Sequence, residues 1–103
     1  MQLNEYQDAT SKYRVSCSRS AIECGFAEEV GEVMGVLKRK YRGDYDDETT
    51  IDKLRKECGD VLWYMVQLLS DWDLQLEDVA QTNLAKLDDR LARKVLKGSG
   101  NDR

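Results

Sequence analysis

Residues 22–37 have the sequence IECGFAEEVGEVMGVL, in which apolar side chains recur at helical spacing. At roughly 100° per residue, Glu29 projects to the same side of the helix as the apolar set. Glu32 lies one turn further on and flanks that side. A carboxylate within an apolar stripe is costly unless it is paired or bound to a metal ion. The apolar set consists of Ile22, Phe26, Val33, Val36 and Leu37.

A second apolar stripe follows in residues 51–72, and it also carries acids along one edge. Glu57 and Asp60 lie on that edge together with Lys53 and Tyr64. The i, i+3 spacing of the two acids places them on one helix face, as it does for the acids of the first stripe. The stripe itself consists of Ile51, Leu54, Cys58, Val61, Leu62, Met65, Leu68, Leu69 and Trp72.

Two such helices packed together would bring Glu29, Glu32, Glu57 and Asp60 into one place. Four carboxylates repel one another unless cations neutralise them, and ligation by oxygen alone suits Mg²⁺ or Mn²⁺. Charged residues make up 35% of the chain, so acidic pairs can also be solvated surface or partners of lysines. Glu28 projects further from the stripe, and for this residue a role in the metal site and a role as a solvated surface acid weigh equally.

The composition excludes several classes of function. A net charge of −4 argues against general binding to nucleic-acid polymers or membrane surfaces. The chain has no histidine, which removes Ser-His-Asp and Cys-His catalysis and histidine-based zinc sites. No apolar run is long enough to span a membrane and the start does not resemble a signal peptide, so we expect a cytoplasmic protein. Cys17, Cys24 and Cys58 fit reduced thiols packed as small apolar residues.

The pattern predicts an all-α chain of four helices in a single domain over residues 1–97. Asn4 is predicted to be the N-cap of the first helix. Stripes this wide exceed what one copy can bury, which favours dimerisation into a larger bundle. A polar tail over residues 98–103 is predicted to be flexible unless it folds over a ligand. The predicted helices span residues 5–19, 20–41, 49 or 50 to 71, and 76–96.

The fourth helix carries counter-charges. Asn83, Lys86 and Arg90 project within roughly 60° of one another, beside the apolar side of that helix. An amide, an amine and a guanidinium suit phosphate oxygens, and Lys53 adds an amine beside the acids of the third helix. Alternatively, Lys86 and Arg90 are ordinary rim residues that pair with Asp89 or with acids of another helix.

Three segments of this chain resemble one known family, the MazG-like branch of the all-α nucleoside triphosphate pyrophosphohydrolases. Residues 28–32 (EEVGE) and 57–64 (ECGDVLWY) are similar to its E-E-x-x-E and E-x-x-D motifs, and residues 83–90 (NLAKLDDR) to its N-x-x-K-L-x-x-R segment. Residues 42–45 and 98–100 also resemble small members. The resemblance covers nearly the whole chain.

The resemblance implies a four-helix MazG-like bundle completed by dimerisation, either as a dimer or as a dimer of dimers. It implies Mg²⁺-dependent hydrolysis of a nucleoside triphosphate, often a deoxynucleotide, to the monophosphate and pyrophosphate, as house-cleaning of the nucleotide pool. The implied catalytic acids include Glu28, which many relatives replace by a small residue. The implied metal ligands are Glu29, Glu32, Glu57 and Asp60, and the implied substrate-binding residues are Lys53, Asn83, Lys86 and Arg90.

Two other functions stay open. A related all-α pyrophosphohydrolase, such as a dUTPase or a phosphoribosyl-ATP pyrophosphohydrolase, would use the same acids. A non-catalytic helical oligomerisation module, or a regulatory nucleotide-binding module, would use them only as a solvated or ligand-binding surface. Removing one acid would abolish the activity of a pyrophosphohydrolase, whereas a non-catalytic module has no activity to lose.

Overall fold

The centre of the protein is a hairpin of two long helices. The computed structural model describes the backbone of residues 1–97 and the side chains of residues 1–94, so the predicted tail over 98–103 lies outside the described residues. The hairpin is formed by α2 (Arg19–Arg42) and α3 (Asp47–Asp71), which pack along each other. A short α1 (Leu3–Thr10) precedes them, followed by one 3₁₀ turn (Ser11–Tyr13), and α4 (Leu76–Lys97) comes last. The predicted all-α chain of four helices is confirmed.

Local sequence sets the turn between α2 and α3. Gly43 ends α2 with φ of 92°, a left-handed conformation that glycine adopts without strain, and its N–H donates to the carbonyls of Arg39 and Lys40. Asp46 caps the start of α3 by accepting the Thr49 N–H at 2.8 Å, and this hydrogen bond lowers the pKa of Asp46. The chain therefore reverses within four residues, and the two amphipathic faces meet.

The buried core lies where these faces meet. It consists of Ile22 and Val36 from α2 with Val66 and Leu69 from α3. On α2 this agrees with the predicted stripe. On α3 the agreement is partial, since Leu69 of the stripe is buried and Val66 outside it is fully buried, while other stripe members are exposed. Those exposed members are Ile51, Cys58, Leu62 and Trp72.

The cysteine prediction was wrong in one respect. All three thiols are free, but Cys17, Cys24 and Cys58 are exposed rather than packed among apolar residues. None of the three therefore contributes to the core of a single chain.

The first helix, α1, is shorter than predicted, and it contacts both α3 and α4. It ends at Thr10, whose hydroxyl accepts a hydrogen bond from the buried amide of Gln67 at 2.8 Å. Asn4 does not cap α1, since Gln2 occupies that position. Instead, the side-chain oxygens of Asn4 and Gln7 accept the backbone N–H groups of Glu77 and Leu76 at the start of α4, at 3.1 and 2.7 Å. The polar face of α1 thus anchors the N-terminus of α4.

Most of α4 is not covered by its own chain. Over the part of α4 that the structure describes, it contacts α1 and has no comparable contact with α2 or α3. Leu84, Leu87 and Leu91 form a stripe along it and are 60%, 45% and 61% exposed. The radius of gyration is 17.4 Å, against about 13 Å for a compact domain of this length. A single chain is therefore an open arrangement of four helices.

Among the described residues, no helix combines the length and the apolar character needed to cross a membrane.

Candidate metal and nucleotide site

Three acids from the two central helices converge. Glu29 of α2 and Glu57 and Asp60 of α3 each present a carboxylate oxygen, and these oxygens lie within 4.8 Å of one another. Glu29 and Glu57 are half-buried and Asp60 is exposed. A hard cation holds oxygen ligands at about 2.0–2.6 Å, so it accommodates ligand atoms up to roughly 5 Å apart. The donor set and its spacing fit one divalent cation such as Mg²⁺ or Mn²⁺.

The electrostatics of Glu29 show that the acids act on one another. Its pKa is raised above the ordinary value of 4.5, first because the helices around it desolvate the carboxylate. Negative charges nearby raise this pKa further, so repulsion among the acids adds to the effect of burial. In order of effect these charges are Asp60, Glu57, Glu32 and Glu28.

The other two predicted acids lie at the edge of this cluster. Glu32 and Glu28 are exposed, and neither belongs to the group of three convergent oxygens. Both lie close enough to raise the pKa of Glu29. The structure thus brings together three of the four predicted ligands, and ligation by Glu32 and catalysis by Glu28 stay predictions.

Lys53 lies one turn before Glu57 and is held by an aromatic ring. Its Nζ is 5.1 Å from the centroid of the Tyr45 ring, in the turn between α2 and α3. A cation over the face of a tyrosine is attracted by the ring's quadrupole. Tyr45 was not identified from the sequence, because no helical spacing relates a turn residue to a side chain in the following helix.

The predicted residues on α4 are apart from the acids in a single chain. Asn83 and Lys86 are exposed and Arg90 is half-buried. Because α4 packs on α1 and not along the hairpin, these three side chains share a face without being brought to the carboxylates of their own chain.

A tyrosine of α1 also lies near the acids. Tyr6 is half-buried, and its pKa is raised by burial and then by the charge of Asp60. Its phenol is therefore within electrostatic reach of the cluster. The spacing of residues along the chain contains no signal for this proximity, because it depends on how α1 crosses α3.

Comparison with known proteins identifies a related phage protein and a family. The chain is 40% identical over 87 residues to the Gene 37 protein of Mycobacterium phage L5, an alignment that covers 82% of this chain and 75% of that protein. No solved structure matches it. The family model of the MazG nucleotide pyrophosphohydrolase domain matches residues 18–94, which include α2, α3 and nearly all of α4. The chain therefore belongs to the MazG nucleotide pyrophosphohydrolase domain family.

Proposed function

We propose that this protein hydrolyses nucleoside triphosphates, deoxynucleotides among them, to the monophosphate and pyrophosphate with Mg²⁺ as cofactor. The observation that carries the proposal is the convergence of Glu29, Glu57 and Asp60, whose mutual repulsion a divalent cation would relieve. The chain's membership of the MazG nucleotide pyrophosphohydrolase domain family supports the same reaction class. A role in clearing excess or non-canonical nucleotides follows from that class.

The three convergent carboxylates would hold the cation, with Glu32 completing the set from one turn further along α2. A bound divalent cation supplies charge neutralisation for phosphate oxygens and lowers the pKa of a coordinated water. Glu28 is exposed and lies outside the group of three. It would therefore be available to accept the proton of the attacking water.

Lys53 would bind phosphate oxygens beside the acids. Its amine lies over the Tyr45 ring, one turn before Glu57 on the side towards the turn between α2 and α3. A restricted amine loses less conformational freedom when it binds an anion than a fully solvated lysine does.

The remaining phosphate-binding groups would come from a second copy of the chain. Asn83, Lys86 and Arg90 lie on α4 next to the exposed leucine stripe formed by residues 84, 87 and 91. If that leucine stripe packs against another protomer, the neighbouring Lys86 and Arg90 would lie in the interface. There they would face the acid cluster of the other protomer, which carries the opposite charge. A homodimer, or a tetramer built from two dimers, would thereby complete each site.

Release of pyrophosphate from a panel of ribo- and deoxynucleoside triphosphates, with Mg²⁺ and with EDTA, tests the proposal. We expect Mg²⁺-dependent release of pyrophosphate, with a rank order that identifies the base. Orthophosphate as the first product would show cleavage at a different bond and would contradict the proposal. Nucleotide binding without any turnover would favour a regulatory module.

A further inference from the structure

One contact between α2 and α3 leaves no room for a side chain at Gly25. The ring of Tyr64 lies directly against the backbone of Gly25. A Cβ atom placed on Gly25 would overlap Cε1 of the ring, and it would lie 2.6 Å from Cζ and 2.8 Å from Cδ1. Carbon atoms in contact are normally about 3.5–4.0 Å apart. No residue other than glycine therefore fits at this position while the ring stays in place.

The contact is adjacent to the acid cluster along both helices. Gly25 precedes Glu29 by four residues on α2, and Tyr64 follows Asp60 by four residues on α3. Four residues of an α-helix rise by about 6 Å, so one turn separates the contact from the carboxylates on each helix. The separation of the two helices at the contact therefore determines how near Glu29 comes to the acids of α3.

The other glycines near the acids do not share this property. Gly31 lies between Glu29 and Glu32, and Gly59 directly precedes Asp60, yet a Cβ on either would meet nothing within 4 Å in this structure. Gly25 is also buried, whereas Gly31 and Gly59 are exposed. The close approach is thus specific to Gly25 and does not arise from glycine in this region generally.

The Tyr64 ring, which lies against Gly25, also contacts a second aromatic ring. Trp63 packs edge-on against Tyr64, with ring centroids 5.0 Å apart and an interplanar angle of 86°. Both rings are half-buried. Such edge-to-face pairs are favourable beyond the area that they bury, so the position of the Tyr64 ring is fixed from two sides.

We propose that Gly25 and Tyr64 are positioning residues of the metal site. Their contact sets the spacing of α2 and α3 so that Glu29, Glu57 and Asp60 present oxygens to one cation. The inference rests on the proposed function, because it presupposes that these carboxylates bind a divalent metal. Neither residue touches the metal or the substrate, and both act through the carboxylates one turn away.

Mn²⁺ binding, measured by isothermal titration calorimetry on the purified chain, tests the inference without any catalytic readout. In Gly25→Ala the helices must separate or the ring must move, so we expect the dissociation constant for Mn²⁺ to rise by about 10- to 100-fold, as is typical when a group that orients metal ligands is lost. Gly31→Ala and Gly59→Ala are matched controls, one on each helix, and should bind Mn²⁺ as the wild type does.

Tyr64→Leu serves as a second variant, since it introduces no overlap and tests the contact from the other side. Without the ring, the spacing of the helices is no longer fixed, and Mn²⁺ binding should again weaken. In the double variant Gly25→Ala with Tyr64→Leu, the overlap is removed, so binding should be tighter than in Gly25→Ala alone.

Three results would overturn the inference. One is wild-type Mn²⁺ affinity in folded Gly25→Ala or in Tyr64→Leu, and another is equal weakening in the two control variants. Failure of the wild type to bind Mn²⁺ would remove the metal site itself and the inference with it. That last outcome is distinguishable, because it contradicts the proposed function before any variant is measured.

Discussion

Glu29 of α2 and Asp60 of α3 present carboxylate oxygens within 4.8 Å of each other, although the two residues belong to different helices. Glu57 completes the group. Among the described residues, no lysine or arginine is a main influence on Glu29, whose pKa is raised by burial and by four neighbouring acids. If these acids bind a cation as proposed, their mutual repulsion should reduce stability when that cation is absent.

Replacing Asp60 by Asn should stabilise the metal-free protein. The variant removes one of several repelling charges while keeping the shape of the side chain, so its Tm in EDTA should exceed that of the wild type. Mg²⁺ at about 100 times its dissociation constant should stabilise the wild type by about 2.7 kcal/mol and the variant by much less. Thermal melts at one fixed protein concentration measure both effects. A variant that is less stable in EDTA, yet equally stabilised by Mg²⁺, would show that Asp60 is an ordinary surface acid.

The stability gained by removing the charge of Glu29 should depend on pH. A carboxyl whose pKa is raised by folding binds more protons in the folded state, so its contribution to the free energy of unfolding falls as pH rises from the ordinary value of 4.5 through the raised value. We expect the Tm of Glu29→Gln in EDTA to exceed that of the wild type most at about pH 7 and above, with the gap closing towards lower pH. A gap that stays constant with pH would contradict this origin.

Mixing two inactive variants should restore activity if each site is shared between copies. Asp60→Asn inactivates the acidic half of a site, and Arg90→Ala impairs the half supplied by α4. In a mixed dimer, one site carries both defects and the other carries neither, so random mixing should recover about a quarter of the wild-type rate. Pyrophosphate release after joint refolding measures this. No recovery from verified mixed dimers would place both halves of the site in one chain.

The ion pair between Arg14 and Asp71 should contribute measurably to stability. The guanidinium donates to both carboxylate oxygens at 2.7 and 3.1 Å, and both side chains are largely buried. Arg14→Ala leaves that carboxylate without its partner, and we expect a loss of about 1.5–3 kcal/mol in the free energy of unfolding. Arg55→Ala breaks the exposed pair with Asp52 and is the matched control. It should cost about 0–1 kcal/mol, and equal losses in chemical denaturation would refute the distinction.

Helical periodicity was sufficient to predict the central hairpin. The stripe containing Ile22 and Val36 is buried as expected, and Glu29 meets acids of α3 because both sets border apolar faces. Periodicity could not decide that Glu32 would fall outside the group of three. That outcome depends on how far α2 is rotated about its own axis when it packs against α3, which the spacing of residues does not specify.

Features that depend on distant partners could not be predicted from the sequence. Asparagine is a common N-cap residue, and Asn4 was predicted to cap α1. Instead, its side-chain oxygen accepts the N–H of Glu77 in the first turn of α4, far along the chain. Gln7 serves the same helix through its side-chain oxygen. Neither partnership leaves a local pattern, because the hydrogen bonds form only once α1 lies across the end of α3.

The most direct test of the central claim is the rate of Mg²⁺-dependent pyrophosphate release after single acids of α3 are neutralised. Glu57→Gln and Asp60→Asn remove proposed metal ligands, and we expect each to lower the rate by about 100-fold or more, the scale seen when one group that stabilises the transition state is removed. Asp52→Asn, which changes an exposed acid of the same helix, should retain the wild-type rate. Wild-type rates in Glu57→Gln and Asp60→Asn would contradict the account, because the convergent carboxylates would then have no part in the reaction.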